Sequence, residues 1–355
     1  MFQIFGKNYL GFDIGASSIR IIELSGSSNK VKLINYGEIE SQGNFQTPFM
    51  TLDQSNLFLA EDNVTKAIKE VLHGMKTKTK EAIFSLPDFS TFFVTFDLPK
   101  MDEAKELPQA VQFEAKKYIP IPMRNITLDW QIIEHFKKED GSDFFKILTV
   151  AIPNEVIDQY QRVATNCQLK LLGFEPEAFG LYRSLTKGSA NPVCIIDIGM
   201  NSTTINIIDE NTVKISHSIN FSGSQLTSKI AKDLGISLDQ AEELKTKNGI
   251  SGIDQKTKDS IMPLVNMLVQ ETDRTFREFQ REAHRDVCKI ILSGSSAFMA
   301  GFADHFSTQF KCDEKLEIAN PFSKLIYPLQ LKEKLKTMGP RYAVAVGMAL
   351  RGTEL

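Results

Sequence analysis

Two short segments combine carboxylate, glycine and hydroxyl in one order: GFDIGASS at residues 11–18 and DIGMNST within CIIDIGMNSTTINII at 194–208. Gly15 and Gly199 leave no side chain in the way of a close backbone approach. Successive backbone N–H groups in such turns form a concavity suited to an anion. Ser17, Ser18, Ser202 and Thr203 add hydroxyl donors, and Arg20 adds a cation. Asp13 and Asp197 would repel a bare phosphate. They make sense with a hydrated Mg²⁺ between them, since magnesium keeps waters and takes few carboxylates. Either D-x-G segment alone reads equally as an ordinary β-turn. At an offset of 184 residues, from Asp13 to Asp197, the segments also align Ile14 with Ile198, Gly15 with Gly199, Ser18 with Ser202 and Ile21 with Ile205. A supersecondary unit repeated at this period suggests two related lobes, each offering one hairpin to a shared cleft.

The flanking pattern supplies the elements that must hold these turns. Alternating apolar residues predict strands over Tyr9–Ile14, Ser18–Leu24 and Val31–Glu40, with turns at GASS and SGSSNK. Glu40–Asn56 reads as loop. A helix follows on the face of Val64, Ile68, Val71 and Leu72, with Gly74 as its stop. Residues 82–99 read as two strands broken by Pro87. The segment after Pro99 reads as a helix starting near Asp102, at risk of a kink at Pro108 and ended by Pro120 and Pro122. ITLDWQIIEHF and FFKILTVAIP form a hairpin around KKEDGSD, making residues 84–152 a strand–helix–strand–strand insertion. NEVIDQYQRVATNCQ is a helix with Asn154 as N-cap, followed by a strand at Lys170–Glu175 and the helix PEAFGLYRSL. After TKGSANP the three-strand pattern restarts. The stretch SGSQLTSKIAKDLGISLDQAEELKTKNG (222–249) is mostly helical, as is Asp259–Arg285. IILSGSSAFMAGF (290–302) reads as strand, Gly294–Ser295–Ser296 turn and helix, where a helix N-terminus meets an anion or nucleotide. Many α/β folds have the same turn without a ligand. The closing RYAVAVGMALRG is a helix rich in small residues.

Bulk composition narrows the partners. The 355 residues are 42% hydrophobic and 24% charged, with a net charge of −3, which excludes a broad basic field for nucleic acid. The 25 phenylalanines read as core. Cys167, Cys194, Cys288 and Cys312 are far apart, which argues against a zinc site or a disulfide framework, and each reads as a small buried residue. No apolar run reaches the roughly 18 residues of a membrane span. MFQIFGK lacks the apolar core of a signal peptide, so a cytoplasmic location is expected.

The order of the three elements (phosphate hairpin, phosphate hairpin, adenosine turn) resembles the actin–chaperone–sugar kinase superfamily. GFDIGASSIRIIELS, FEAKKYIPIP, DIGMNSTTINII, FSGSQLTSKIAKDLGISLDQAEELK, LSGSSAFMAGF and AVAVGMALRG together resemble the PilM family of type IV pilus assembly, nearly end to end, and more distantly FtsA. The resemblance implies an α/β, actin-like (ribonuclease H-like) duplicated two-lobe fold with the insertion as an SHS2-type subdomain. The first lobe would comprise 1–83 and 153–190, the insertion 84–152, the second lobe 191–222 and 286–338, its helical part 223–285, and a returning helix 339–355. Gly15, Ala16, Ser17, Ser18 and Arg20 would hold the phosphates of ATP from one side; Gly199, Asn201, Ser202 and Thr203 would clamp them from the other. Asp13 and Asp197 would order the waters of Mg²⁺. Gly223, Ser224, Glu242, Lys245, Gly294, Ser295 and Ser296 would lie along the nucleotide. Arg20 stands where many relatives have lysine, Met200 and Asn201 where smaller residues are common, and serine rather than a second glycine follows Gly294.

Glu175 or Glu177 could position a water for hydrolysis, but each also reads as a surface carboxylate capping a helix, so the resemblance implies at most a slow ATPase. The expected partner is the cytoplasmic N-terminal peptide of PilN, part of an inner-membrane complex with PilO, alongside pilus motor or platform proteins; membrane association would be indirect. The peptide would lie in a groove between the insertion and the first lobe, with Phe113, Tyr118, Ile119 and Pro120 in its wall. An FtsA-like filament former and a small-molecule kinase of the same superfamily are the alternatives. MALRGTEL is too short for an FtsA-like membrane helix, and no carboxylate base beside an acceptor pocket stands out.

Overall fold

The computed structural model describes residues 7–27, 30–41, 48–53, 56–310, 312, 314 and 316–355. Strands β1 (Asn8–Ile14), β2 (Ser18–Ser27) and β3 (Lys30–Glu40) form an antiparallel meander, followed by β4 (Met50–Asp53), β5 (Asn56–Leu59), helix α1 (Glu61–Met75) and β6 (Glu81–Leu86). After a 3₁₀ turn at Asp88–Ser90 come β7 (Phe92–Pro99), α2 (Leu107–Ala115), β8 (Ile126–Lys137) and β9 (Asp143–Pro153). Helix α3 (Asn154–Asn166), β10 (Lys170–Pro176) and α4 (Glu177–Leu181) follow, with α4 running on into a π turn over Tyr182–Thr186. The meander then recurs as β11 (Val193–Ile198), β12 (Thr203–Asp209) and β13 (Thr212–Ile219). Three helices, α5 (Gly223–Leu234), α6 (Leu238–Lys247) and α7 (Gln255–Ala283), precede β14 (Lys289–Ser293), α8 (Phe302–Gln309), β15 (Glu317–Ile318) and α9 (Lys332–Glu354).

The duplication extends to sheet topology. One sheet has the order β3-β2-β1-β6-β10 and the other β13-β12-β11-β14-β15. In each, a three-strand meander continues through two parallel strands. β1 is buried on both sides: Leu10, Phe12 and Ile14 join Val64, Ile68, Tyr160 and Val163 of α1 and α3 in one core. On the other side α9 lies directly on the strand, and a Cβ on Gly11 would fall 2.1 Å from the Ala345 carbonyl oxygen. The small residues at the chain's end thus let two backbones touch. The second sheet packs Ile196, Ile198, Ile205 and Ile207 against α5, α7 and α8. Each such buried side chain contributes about 1.5–3 kcal/mol.

The insertion is a three-stranded antiparallel sheet, β7-β9-β8. Strand alternation divides its faces. Phe96, Phe145, Ile147 and Ala151 pack under Leu107, Val111 and Ala115 of α2, while Val150 and Ile152 join the first lobe's core.

Several local expectations change. Part of Glu40–Asn56 is a hairpin, β4–β5, held by buried Gln159 through bonds to Leu59 N (2.7 Å) and Leu57 O (3.1 Å). Residues 42–47 and 54–55 of that segment, Ser28 and Asn29 of the SGSSNK turn, and the first six residues of MFQIFGK lie outside the described residues. Helix α1 continues past Gly74, and Lys76 takes the left-handed cap position. Pro108 sits in the first turn of α2 instead of kinking it, because its missing N–H has no partner to lose there. Asp102 closes an earlier turn by accepting from Ala104 N and Lys105 N, both at 3.0 Å. Pro153, not Asn154, occupies the N-cap of α3; the Asn154 side chain bonds Thr127 Oγ1 and Arg124 O, tying β8 to the helix. Helix α7 begins at Gln255, earlier than expected, capped by Asp254. Cys167 and Cys194 are buried, whereas Cys288 and Cys312 are only half-buried. Among the described residues no helix is long and apolar enough to cross a membrane.

Candidate functional site: a cleft between two hairpins

The two D-x-G turns close by the same bond. Gly15 N donates to Ser18 O at 2.9 Å, and Gly199 N to Ser202 O at 3.0 Å. Register matches as well: Asp13 lies opposite Arg20 and Ile14 opposite Ile19, Asp197 opposite Thr204 and Ile198 opposite Thr203. A Cβ on Gly199 would sit 2.9 Å from Ser202 O, so a side chain there would force the turn open. Gly15, Ala16, Ser17 and Ser18 of one hairpin and Gly199 and Met200 of the other line one cleft, with Asp13, Arg20, Glu177, Asp197, Gly294 and Ser295 around it.

The cleft is crowded with carboxylates. Asp13 is buried, which pushes its carboxyl up to about 6; Arg20 opposes the shift and Asp197 adds to it. Burial also raises Asp197, against a hydrogen bond from Ser293 and the Arg20 charge. Arg20 holds Glu38 Oε1 at 2.7 Å and lies 3.5 Å from Asp13 Oδ2, so it fastens Asp13 to the sheet rather than reaching freely into the cleft.

Of the two glutamates near α4, only Glu177 faces the cleft. It is half-buried at the first position of α4, and its carboxyl is raised well above the ordinary range, first by burial and then by Asp88, Asp13 and Asp197. A purely surface cap is therefore the wrong description of it. Glu175 turns away, bonding Arg183 at 2.8 and 3.1 Å and Arg351 at 3.0 Å. Sequence reading missed Asp88 entirely. Its buried carboxyl, pushed up to about 7 by desolvation, accepts from Ala178 N at 3.1 Å. The only local signal, a Pro–Asp pair, marks a turn and nothing more.

The second hairpin has a brace of its own. Gly223 N donates to Gly199 O (2.9 Å), and Ser224 donates to Met200 O through both N (3.1 Å) and Oγ (2.6 Å). Lys245 Nζ, buried, donates to Gly223 O (3.1 Å), Thr227 Oγ1 (2.9 Å) and Glu242 Oε2 (2.7 Å). Burial lowers its pKa while Glu242 raises it. All three of its donors are engaged by protein, so Glu242 and Lys245 latch α6 to the start of α5. Ser296 lies beside them, since a Cβ on Gly223 would come within 2.9 Å of its Oγ. Asn201 and Ser202 are half-buried at the hairpin tip, and Thr203 is buried. Gly294, with φ of 85°, presses on the Ile198 backbone; it leads into a single 3₁₀ turn, Ser295–Phe298, and an α-helix begins only at Phe302. The α-helix expected directly after Gly294–Ser296 is thus a 3₁₀ turn, with Gly294 and Ser295 at the edge of the cleft. Replacing Lys245 with Met is expected to cost about 1–2 kcal/mol, below the usual cost of breaking a buried pair because Glu242 can rehydrate. Denaturant midpoints would measure it, and an unchanged midpoint would remove the latch role.

A second concavity, of about 450 Å³, lies between the insertion and the first lobe. Asp129, Gln131, Val150 and Ile152 face Phe174, Phe179, Arg183 and Arg351 across it. The segment expected in its wall lies elsewhere. Ile119 is buried under α2, Phe113 and Pro120 are exposed, and Tyr118 stacks on Phe96 (centroids 6.0 Å apart) beside a different groove facing β13. Helix α2 covers one face of the sheet, and the first-lobe groove opens on the other.

Two sheets of identical strand order, each presenting a glycine hairpin to one cleft, define an actin-like two-lobe fold. Solved structures of this fold agree. The PilM-PilN type IV pilus biogenesis complex matches with a TM-score of 0.82 at 24% identity, over 98% of this chain and 99% of that one. The ethanolamine utilization protein EutJ from Carboxydothermus hydrogenoformans matches with a TM-score of 0.57 at 11% identity, over 97% and 89% of the two chains. MreB 5 of Spiroplasma citri bound to AMPPNP matches at 0.50 and 13% identity, over 93% and 98%. Residues 11–353 match the family described as type IV pilus assembly protein PilM, and the chain belongs to that family.

Proposed function

We propose that this protein is an ATP-binding adaptor of type IV pilus assembly that captures the cytoplasmic N-terminal peptide of PilN and changes its hold on that peptide with nucleotide state. One observation carries the reading: two hairpins with the same closing bond face each other across a cleft that holds opposed carboxylates, buried Asp13 and half-buried Asp197. The donor set suits Mg–ATP. Backbone N–H groups at Ala16–Ser18 and Asn201–Thr203 are candidates for phosphate oxygens. A divalent cation would offset the repulsion between Asp13 and Asp197 that burial sharpens. Among the described residues no three His, Cys, Asp or Glu side chains converge to grip one ion directly. The carboxylates would accordingly act through the ion's waters. Glu177 is the candidate to hold a water near the terminal phosphate.

The PilM-PilN complex of the same fold supports the partner, and MreB 5 with AMPPNP supports the nucleotide. The first-lobe groove, with aromatic and aliphatic walls and an Arg183–Glu175–Arg351 cluster at one end, suits an extended peptide reading a few side chains. Replacing Phe179 with Ala is expected to weaken peptide binding about tenfold, or about 1.4 kcal/mol, while Tyr118→Ala stays within about twofold. Calorimetric titration reads both, and the reverse ranking would move the peptide to the other groove. The function is tested by titrating ATP–Mg²⁺ and then a PilN N-terminal peptide, with and without nucleotide. Nucleotide can shift peptide affinity only by favouring one lobe arrangement. Equal affinity in both states would remove the switch.

A further inference from the structure

Helix α4 reaches from the cleft to the groove within three residues. Glu177 faces the cleft, Ala178 is buried beneath, and Phe179 forms part of the groove wall. The start of this helix is fastened by a reciprocal pair of bonds to the turn that leads into the insertion. Asp88 Oδ1 accepts from Ala178 N at 3.1 Å, and Asp88 N donates to Glu177 Oε2 at 3.3 Å. Just beyond, Phe93 of β7 packs against Phe179 with centroids 6.1 Å apart. The 88–90 turn, β7 and α4 all pack on β13, the edge strand of the second lobe. Cleft, groove, insertion and opposite lobe therefore meet around the start of α4.

Asp88 is an uneconomical choice for a structural cap. It is 2% exposed, and its second oxygen, Oδ2, has no hydrogen-bond partner. It also lies among carboxylates, with Asp197 of the second lobe and Glu177 both close enough to feel its charge. A buried acceptor left unpaired is costly, and a neutral acceptor would hold Ala178 N without burying a charge. The arrangement has a use if a ligand in the cleft moves Glu177, because the reciprocal bonds at Asp88 would carry that movement to the 88–90 turn and β7.

Resting on the nucleotide-binding reading, we infer that Asp88 is a positioning residue that transmits the state of the cleft to the insertion and its peptide groove through the start of α4. The clamp is the shared physical element that both sites would bias, which coupling requires.

Hydrogen exchange on the full chain, with and without ATP–Mg²⁺, tests this in the native protein, Asp88→Ala and Asp88→Asn. In the native chain nucleotide is expected to slow exchange at least fivefold at both hairpins (15–18 and 199–203) and at β7 (92–99). Asp88→Ala should keep the hairpin protection within about threefold but lose the β7 response to below twofold. Asp88→Asn, which retains an acceptor for Ala178 N, should restore the β7 response. Loss of a merely structural contact would raise exchange at β7 in both states and leave the nucleotide-dependent ratio in place. Should Asp88→Ala fail to fold, Asp88→Ser, whose hydroxyl is too short to reach Ala178 N from the same backbone position, takes its place with the same expectation. A β7 response in the clamp-breaking variant equal to that of the native chain overturns the inference alone. Absence of hairpin protection in the native chain overturns the nucleotide reading and takes this inference with it.

Discussion

Asp13→Ala is expected to weaken magnesium-dependent ATP binding on the order of 100-fold. The carboxylate is buried beside the first hairpin, faces Asp197 across the cleft and is steered by Arg20. Its removal would take away one of two anions that order a hydrated cation, at about 3 kcal/mol for a charge-assisted contact in a poorly solvated site. The same substitution should leave ATP binding without divalent cation unchanged or slightly tighter, because one negative charge facing the phosphates is gone. The pair of titrations separates a metal role from a folding role. Equal weakening with and without magnesium would mean that Asp13 only holds the hairpin, and unchanged affinity in magnesium would remove its assigned task.

The ligand-free protein is expected to lose stability as pH rises from about 4 to about 7. Asp13 and Asp88 have folded-state pKa values raised above the ordinary carboxylate value, to about 6 and about 7. The folded state therefore binds more protons than the unfolded chain through this window, and unfolding free energy falls with pH until both groups are ionised. The combined effect is a few kcal/mol, since each tenfold gain in proton affinity on folding is worth about 1.4 kcal/mol. Because these acids feel one another, the cluster titrates as a group rather than as separate sites. Surface carboxylates such as Glu61, held low by Arg162, act in the opposite direction only below about 4.5, at the foot of this window, and His305, lowered by burial, offsets part of the fall within it. Denaturation at pH 5 and pH 8 in chelator measures the slope, and Asp88→Asn should flatten it. Stability that is flat or rises across the window would mean that the cleft acids are not strained as described.

Much of the frame was legible from local pattern. The strands of both meanders alternate strongly, and the 184-residue offset between Asp13 and Asp197 carried the duplication and the hairpin register with it. What escaped depends on contacts distant in sequence. β4–β5 is held by Gln159, about a hundred residues away, so its segment looked like polar loop. Glu175 and Glu177 looked interchangeable, yet the passage from strand to helix at Pro176 turns one toward Arg183 and Arg351 and the other into the cleft. Asp88 had no signal of its own because its partner, Ala178 N, comes from another element. The groove wall was misread for a related reason: amphipathic spacing indicates that α2 covers a sheet, but not which face of that sheet remains open.

The decisive measurement is a crystal structure with a non-hydrolysable ATP analogue and magnesium. Phosphate oxygens are expected within hydrogen-bonding distance of backbone N–H groups from residues 15–18 and 199–203 alike, with the metal's waters on Asp13 and Asp197. A nucleotide held by one hairpin alone, or bound away from the cleft, would refute the shared grip of the two hairpins.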